Sequence, residues 1–461
     1  MFAALVLAPA YFATLTACLS AGPGEDTLTD TGAMAAAEAL DVELIALEVD
    51  EVVGSLVHVT WEQSQAGAAR VEYLFDHDWV ASPERELPAG THEQVLAGIP
   101  YGMRASVRVR VTGEDGEAES MAAPVETDPL PERIPQVHVL HADPGGWDPK
   151  HPFLLVSANV QDSNYGGPYV SFIVDRAGRV VWSLQSPDDA STFWVRPSRD
   201  GRDLLIDHNT FWTLFDSSRS TVDRVKLDGS VVETIPTPGM AHAYEELPDG
   251  SFLWMYDDPQ VQALMLREPS GEIRKVWDCR AFFDALGAYD ACGTNSITWD
   301  ERTDSVLLSF FTSETVVQLA VRDWSVMSWF GSTPGGWTFT DERSQFYFQH
   351  GATFIDNGNL LVSSRNGPHG LETVAREYEL DVRTRTLTQV WSFGEGEGIH
   401  ADTLGEAHRL PDGNTLHNYG SDSRLREVTS DGLVVWDLSI GDVEQSIGRT
   451  VPLRDLYAFL P

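Results

Sequence analysis

Arg409-Leu410-Pro411-Asp412-Gly413-Asn414-Thr415-Leu416, then Asp431-Gly432-Leu433-Val434-Val435-Trp436, is the stretch that decides the fold. Each half is a tight turn feeding a short apolar strand, and a glycine in such a turn tolerates the backbone the turn demands. Both halves recur upstream. The first returns as Asp200-Gly201-Arg202-Asp203-Leu204-Leu205, Pro248-Asp249-Gly250-Ser251-Phe252-Leu253 and Asp356-Asn357-Gly358-Asn359-Leu360-Leu361. The second returns as strands ending in Trp182, Trp277, Trp329 and Trp391, with Val231-Val232-Glu233 as a copy lacking the tryptophan. Successive copies of the second element lie 44 to 62 residues apart, and each period holds short strands and no long helical pattern. Only the segment around Arg280–Leu286 reads as helix.

Repeats of this length built from strands predict a β-propeller, because a lone four-stranded sheet cannot bury both faces and radial stacking can. Six copies predict six blades over residues 141–461, with the tryptophans filling the space between them. Gly448-Arg449-Thr450-Val451-Pro452-Leu453 follows the last copy and can supply a strand that closes the ring. Upstream, residues 42–128 alternate apolar and polar side chains, as in Val57-His58-Val59-Thr60-Trp61 and Ser106-Val107-Arg108-Val109-Arg110-Val111. This predicts an immunoglobulin or fibronectin III-like β-sandwich with Trp61 and Tyr101 in its core. The expected class is therefore all-β. His138 and His141 fall in an extended linker between the two units, at a spacing poor for metal.

Residues 2–19 carry no charge and end in Leu15-Thr16-Ala17-Cys18. Small residues before a cysteine resemble the lipobox of bacterial lipoproteins, so 1–18 reads as a signal peptide and Cys18 as the lipidated residue. A plain signal peptide or a single anchor helix is the alternative. Residues 19–41 read as a small, acidic, flexible linker. The expectation is an exported, membrane-anchored lipoprotein facing the periplasm or the cell surface. In that compartment Cys279 and Cys292 read as a disulfide, with two buried free thiols as the alternative. A zinc site is disfavoured because no histidine stands near either at ligand spacing.

The chain has 461 residues, 31 basic and 70 acidic, for a formal charge of −39. Such a polyanion is repelled by nucleic acid and by anionic lipid, leaving the lipid anchor as its route to a membrane. None of its lysines, Lys150, Lys226 and Lys275, lies in a phosphate-binding loop motif. Zincin, nucleophile-elbow and EF-hand motifs are missing too.

The inner strands of a propeller line its channel, so equivalent positions in different blades become neighbours. His242 lies eight residues before Gly250 and His350 eight before Gly358, which places two histidines at one quasi-equivalent position. In the intervening blade Thr294 and Asn295 fall near it. An imidazole pair with an amide and an arginine suits an anionic group in transfer. The plainer alternative is polar residues satisfying backbone groups in a wet channel. His208 can also face the channel. His408 and His417 bracket the last inner turn, and His400 and His369 read as loop residues.

Residues 150–461 resemble the bacterial arylsulfotransferase family. The likeness is carried by Met240-Ala241-His242 with Leu247-Pro248-Asp249-Gly250, Thr294-Asn295-Ser296-Ile297-Thr298-Trp299-Asp300, Gln349-His350-Gly351, Arg376-Glu377-Tyr378-Glu379-Leu380-Asp381 and Arg409–Leu416. The resemblance implies an exported six-bladed propeller behind a β-sandwich. It implies transfer of a sulfuryl group from a small phenolic sulfate ester to a phenol, with no nucleotide sulfate donor, no cofactor and no metal. It implies His350 as the transiently sulfated residue, His242 as a second channel histidine that binds or protonates, and Asn295 as a holder of the sulfuryl group. The family has a histidine where Gly293 stands, and an arginine after a strand that here runs Leu307–Phe311. Arg365, at the end of the strand after His350, is the cation expected to compensate. A non-catalytic surface propeller that binds an anionic or aromatic ligand is the alternative function, and a homodimer is left open.

Overall fold

The computed structural model describes residues 39–114, 116–160, 168–258, 261–441 and 445–461, and it is an all-β protein. Cys18 and the signal and linker expected before residue 39 lie outside the described residues. Among the described residues no helix is long and apolar enough to cross a membrane.

Residues 42–126 form two sheets. One orders Val42–Val49, Val57–Gln63 and Gly90–Leu96; the other is built on Gly67–Leu74 and Arg104–Gly113. Period-two alternation turns Val57, Val59 and Trp61 of one and Val71, Tyr73, Val107 and Val109 of the other into a shared core. Tyr101 is not in that core. Its backbone N–H bonds the Val180 carbonyl at 3.0 Å and its hydroxyl accepts from Ser183 at 3.0 Å, so it ties the two-sheet unit to the next sheet. The core aromatic beside Trp61 is Tyr73.

Six further sheets follow in chain order. The second, third and fourth are four consecutive antiparallel strands each: Arg196–Pro197 to Val231–Pro236, Met240–Glu246 to Ile273–Asp278, and Thr294–Asp300 to Val326–Gly331. The fifth runs from Tyr347–Phe354 to Thr386–Phe393, with Thr338–Phe339 added in parallel. The sixth runs from Glu406–Arg409 to Val434–Ile440. Asp-Gly turns set Gly229, Gly250, Gly413 and Gly432 at φ of 81°, 82°, 98° and 88°, a region that favours glycine.

Two strands come from far away in sequence. Ile447–Leu453 pairs with Phe153–Asn159, so the first sheet begins with a strand from near the chain's end. Val137–Ala142 pairs with Val434–Ile440 and forms the outer edge of the sixth sheet. His138 and His141 therefore stand on a strand, where the sequence pattern indicated a linker.

Each sheet shares an apolar core with the next. Leu155, Ile173 and Trp182 of the first pack with Leu204 and Ile206 of the second. One cluster joins the second, third and fourth. Leu307 and Val316 meet Leu360 and Val362, Leu361 meets Ala407, and Leu416 and Trp436 meet Leu154 and Phe172. Of the repeated tryptophans, Trp182 and Trp436 are fully buried, whereas Trp277, Trp329 and Trp391 are half-buried, so only two fill the inter-sheet space completely.

Glu427 of the sixth sheet is fully buried and accepts from Arg176 of the first, from the Asp148 amide at 2.6 Å and from Asn414 at 2.8 Å. Glu427→Gln removes a charge that a nearly buried guanidinium needs. The expected loss is about 3 kcal/mol of unfolding free energy, read from the midpoint of urea denaturation at unchanged m-value. An unchanged midpoint would show that the pair contributes nothing there.

Candidate functional site

The leading edge strands of the six sheets bring the polar residues of the site together, and irregularities in those strands aim them. In Met240–Glu246 the pairing register jumps between Met240 and Tyr244, around His242. In Thr294–Asp300 it slips between Thr294 and Ser296, at Asn295. In Tyr347–Phe354 it breaks on both sides of His350, with Phe348 at φ 47° and Gly351 at φ 61°. In Ile447–Leu453 the residues between Ile447 and Thr450 bulge opposite Ser157, which presents Arg449. A bulge unpairs backbone, sharpens the twist and turns one side chain away from the pleat. Four sheets thus share one device. Gly351 is required for close approach as well, since a Cβ there would lie 2.5 Å from the Cβ of Glu406.

His242, Asn295, His350, Glu406 and Arg449 line one small pocket, walled by Phe193 and Trp194. His242 stacks on Phe193 with centroids 6.1 Å apart and meets the edge of Trp212 at 5.1 Å. Burial among these rings pushes its imidazole down to about 4. Burial, then the neighbouring His242, outweighs the pull of Glu406 and pushes His350 down to about 3. Both rings are therefore neutral at pH 7, each with a free lone pair. Asn295 donates from Nδ2 to the Gln349 carbonyl at 2.7 Å, which leaves its buried Oδ1 without a partner. Gln349, fully buried, donates in turn to the carbonyls of Phe310 at 3.0 Å and Thr315 at 3.2 Å. This lattice fixes the residue just before His350.

Arg449 and Glu406 are the charged residues that sequence reasoning missed. Arg449 is the cation of the pair. Its guanidinium lies over the Trp194 ring at 4.3 Å, and Nη1 stands 3.9 Å from a Glu406 oxygen. Glu406 has nearer partners, the Thr450 amide at 2.6 Å and His408 at 3.1 Å. Burial raises the Glu406 carboxyl, and the charges of His408 and Arg449 with the Thr450 amide outweigh it and hold it below the usual range. Gly448, before Arg449, sits where a Cβ would fall 2.7 Å from the Phe193 carbonyl oxygen, a constraint that only the folded chain shows.

The other expected residues lie around the site. Arg365 packs on Phe348 at 4.3 Å and donates to the Asp402 carbonyl at 3.2 Å; its charge reaches His350, but it does not line the pocket. His208 pairs with Asp223 at 3.1 Å, outside the pocket. His417 is buried against Tyr419 and meets the Ser363 hydroxyl at 3.0 Å. Cys279 and Cys292 are joined as a disulfide, which ties the helix Cys279–Ala285 to the loop that delivers Asn295. At Gly293 a Cβ would lie 2.6 Å from Thr312 and 2.9 Å from Phe311, so a histidine has no room there. Among the described residues no group of His, Cys, Asp and Glu is able to hold a metal ion.

A family model described as arylsulfotransferase (ASST) matches residues 150–439. No curated protein matches the chain. Among solved structures, a protein of unknown function from Bacteroides caccae is 16% identical, covering 66% of this chain and 100% of its own, at a TM-score of 0.45. A putative 6-phosphogluconolactonase from Bacteroides fragilis is 14% identical over 67% of this chain and 100% of its own, at 0.39. A virginiamycin B lyase from Staphylococcus aureus is 10% identical over 69% and 100%, at 0.38.

The unfolded chain takes up protons on His242 and His350 near 6.5, and the folded one only near 4 and 3. Their contribution to stability is complete above about pH 6.5 and falls as the pH drops below it. Asp207, raised by burial to about 6, works in the opposite sense. His350→Asn therefore narrows the fall in denaturation midpoint between about pH 7 and about pH 5. An identical fall in wild type and variant would place His350 outside the set of buried neutral imidazoles.

Proposed function

The chain belongs to the arylsulfotransferase family, and we propose that it transfers a sulfuryl group from a phenolic sulfate ester to a phenolic acceptor through a sulfo-His350 intermediate, without a nucleotide sulfate donor. The observation that carries this reading is the pairing of two neutral imidazoles with an amide and a guanidinium in one buried pocket. In the first half-reaction the lone pair of His350 attacks sulfur. A nitrogen–sulfur bond forms, the sulfur–oxygen bond breaks, and the electron pair leaves on the phenolic oxygen. His242, uncharged, offers its ring N–H to that oxygen. His242 keeps that proton, so the donor leaves as a phenolate. In the second half-reaction the acceptor's oxygen attacks sulfur, His350 departs with its lone pair, and the acceptor's proton passes to solvent, from which the released phenolate is protonated.

The same reading includes a closed six-bladed propeller behind an immunoglobulin or fibronectin III-like sandwich. Its support is the unbroken series of shared cores and the late strand Ile447–Leu453 in the first sheet. It also includes an exported lipoprotein anchored through Cys18, for which the Cys279–Cys292 disulfide argues, since such bonds persist in oxidising compartments.

Gly293 favours a second reading, a propeller that binds aryl sulfates without turning them over, because the position of the family histidine is filled by Thr312 and Phe311. One experiment separates the two. With 4-nitrophenyl sulfate and phenol, the wild type releases nitrophenolate, and His350→Ala lowers kcat by about 10³-fold or more. With donor alone, intact mass shows one added sulfuryl group in the wild type and none in the variant. Full turnover by His350→Ala would overturn the intermediate. Binding without release by the wild type would establish the second reading.

A further inference from the structure

We infer that Arg449 is the residue that grips the sulfate half-ester, taking over from a strand of the first sheet the task for which the fourth sheet offers no arginine. This rests on the aryl-sulfate reading of the pocket. A sulfate half-ester keeps one negative charge spread over three oxygens, and burying it without a cation is expensive. The cations around the pocket are not equally available. Arg196 stands against the Glu245 carboxylate at 2.6 Å and does not line the cavity. Arg365 is held by Phe348 and by the Asp402 carbonyl and does not line the cavity.

Arg449 lines it, and its buried Nε and Nη1 have no hydrogen-bond acceptor. Its side chain is 12% exposed, and the nearest carboxylate, Glu406, is 3.9 Å away and already accepts the Thr450 amide at 2.6 Å. Uncommitted guanidinium N–H groups in a low-dielectric wall form a site for a planar pair of acceptor oxygens. The geometry is also held. Trp194 supports the flat face of the guanidinium, and the Arg449 amide donates to the Phe193 carbonyl at 2.7 Å. Because Phe193 stacks on His242, the same short segment sets the guanidinium against the imidazole. Glu406 makes the site selective as well: a second negative charge on the ligand would face that carboxylate, so a singly charged sulfate ester fits and a dianionic phosphate ester does not.

The test compares wild type, Arg449→Gln and Arg449→Lys with 4-nitrophenyl sulfate and 4-nitrophenyl phosphate. Arg449→Gln raises KM for the sulfate ester tenfold or more. Arg449→Lys, which keeps the charge and loses the fork, falls between. Equilibrium binding in the His350→Ala background, where no turnover intervenes, weakens by the same factor when Arg449→Gln is added, and the phosphate ester binds at least tenfold less than the sulfate in either background. Wild-type turnover with an unchanged KM in Arg449→Gln overturns the role of Arg449 and leaves the sulfotransferase reading standing. A wild type that neither binds nor cleaves the sulfate ester overturns both. Should Arg449→Gln fail to fold, Arg449→Lys decides: wild-type KM and wild-type discrimination against phosphate together would refute a bidentate grip.

Discussion

Buried carboxylates that reach from one sheet to another are the interactions on which the arrangement depends. Glu427 of the sixth sheet holds Arg176 of the first, and that guanidinium lies 4.6 Å over Trp436. Glu377 of the fifth holds Arg409 of the sixth at 2.5 Å, over Trp391 at 4.8 Å, and takes Asn359 at 2.6 Å. Glu246 of the third holds Arg224 of the second and accepts the Arg199 amide at 2.7 Å, while Arg199 lies over Trp299 of the fourth at 4.5 Å. An ion pair removed from water is stable only where its remaining hydrogen bonds are also made, and each of these carboxylates meets that condition in one register.

That register is what lets distant residues converge. His242, Asn295 and His350 stand on strands more than fifty residues apart in sequence, yet they open on the same cavity. The bulges then do locally what the inter-sheet pairs do globally. Each interrupts the ladder within a strand and gains a side-chain direction that regular pleating forbids. The neutral His242 follows from the same packing: Phe193 and Trp212 exclude the water that its imidazolium would need.

What the amino-acid sequence revealed, and what it hid, divides by range. Turns such as Asp228-Gly229 and Asp412-Gly413 are read from a few adjacent residues, and counting back from Gly250 and Gly358 was enough to find both histidines. Asn295 emerged only by adjusting for a longer turn. The strand Val137–Ala142 escaped because its partner lies some three hundred residues downstream. Tyr101 looked like a core aromatic because it follows a β-rich pattern, but only the contact with Val180 and Ser183 shows which face it serves. Arg449 lies beyond the last turn that anchors the count, on a strand paired with the first sheet rather than its sequence neighbours. His208 ends its strand as expected, but Asp223 opposite captures it.

The pairing of Ile447–Leu453 with Phe153–Asn159 bears on how the protein comes to life. A polypeptide leaves the ribosome with its amino end first. Both imidazoles and the amide are thus made well before the guanidinium that completes their pocket. A chain stopped anywhere between residues 350 and 448 carries both histidines of the site and still lacks its buried cation, so the pocket is complete only once that late strand is in place.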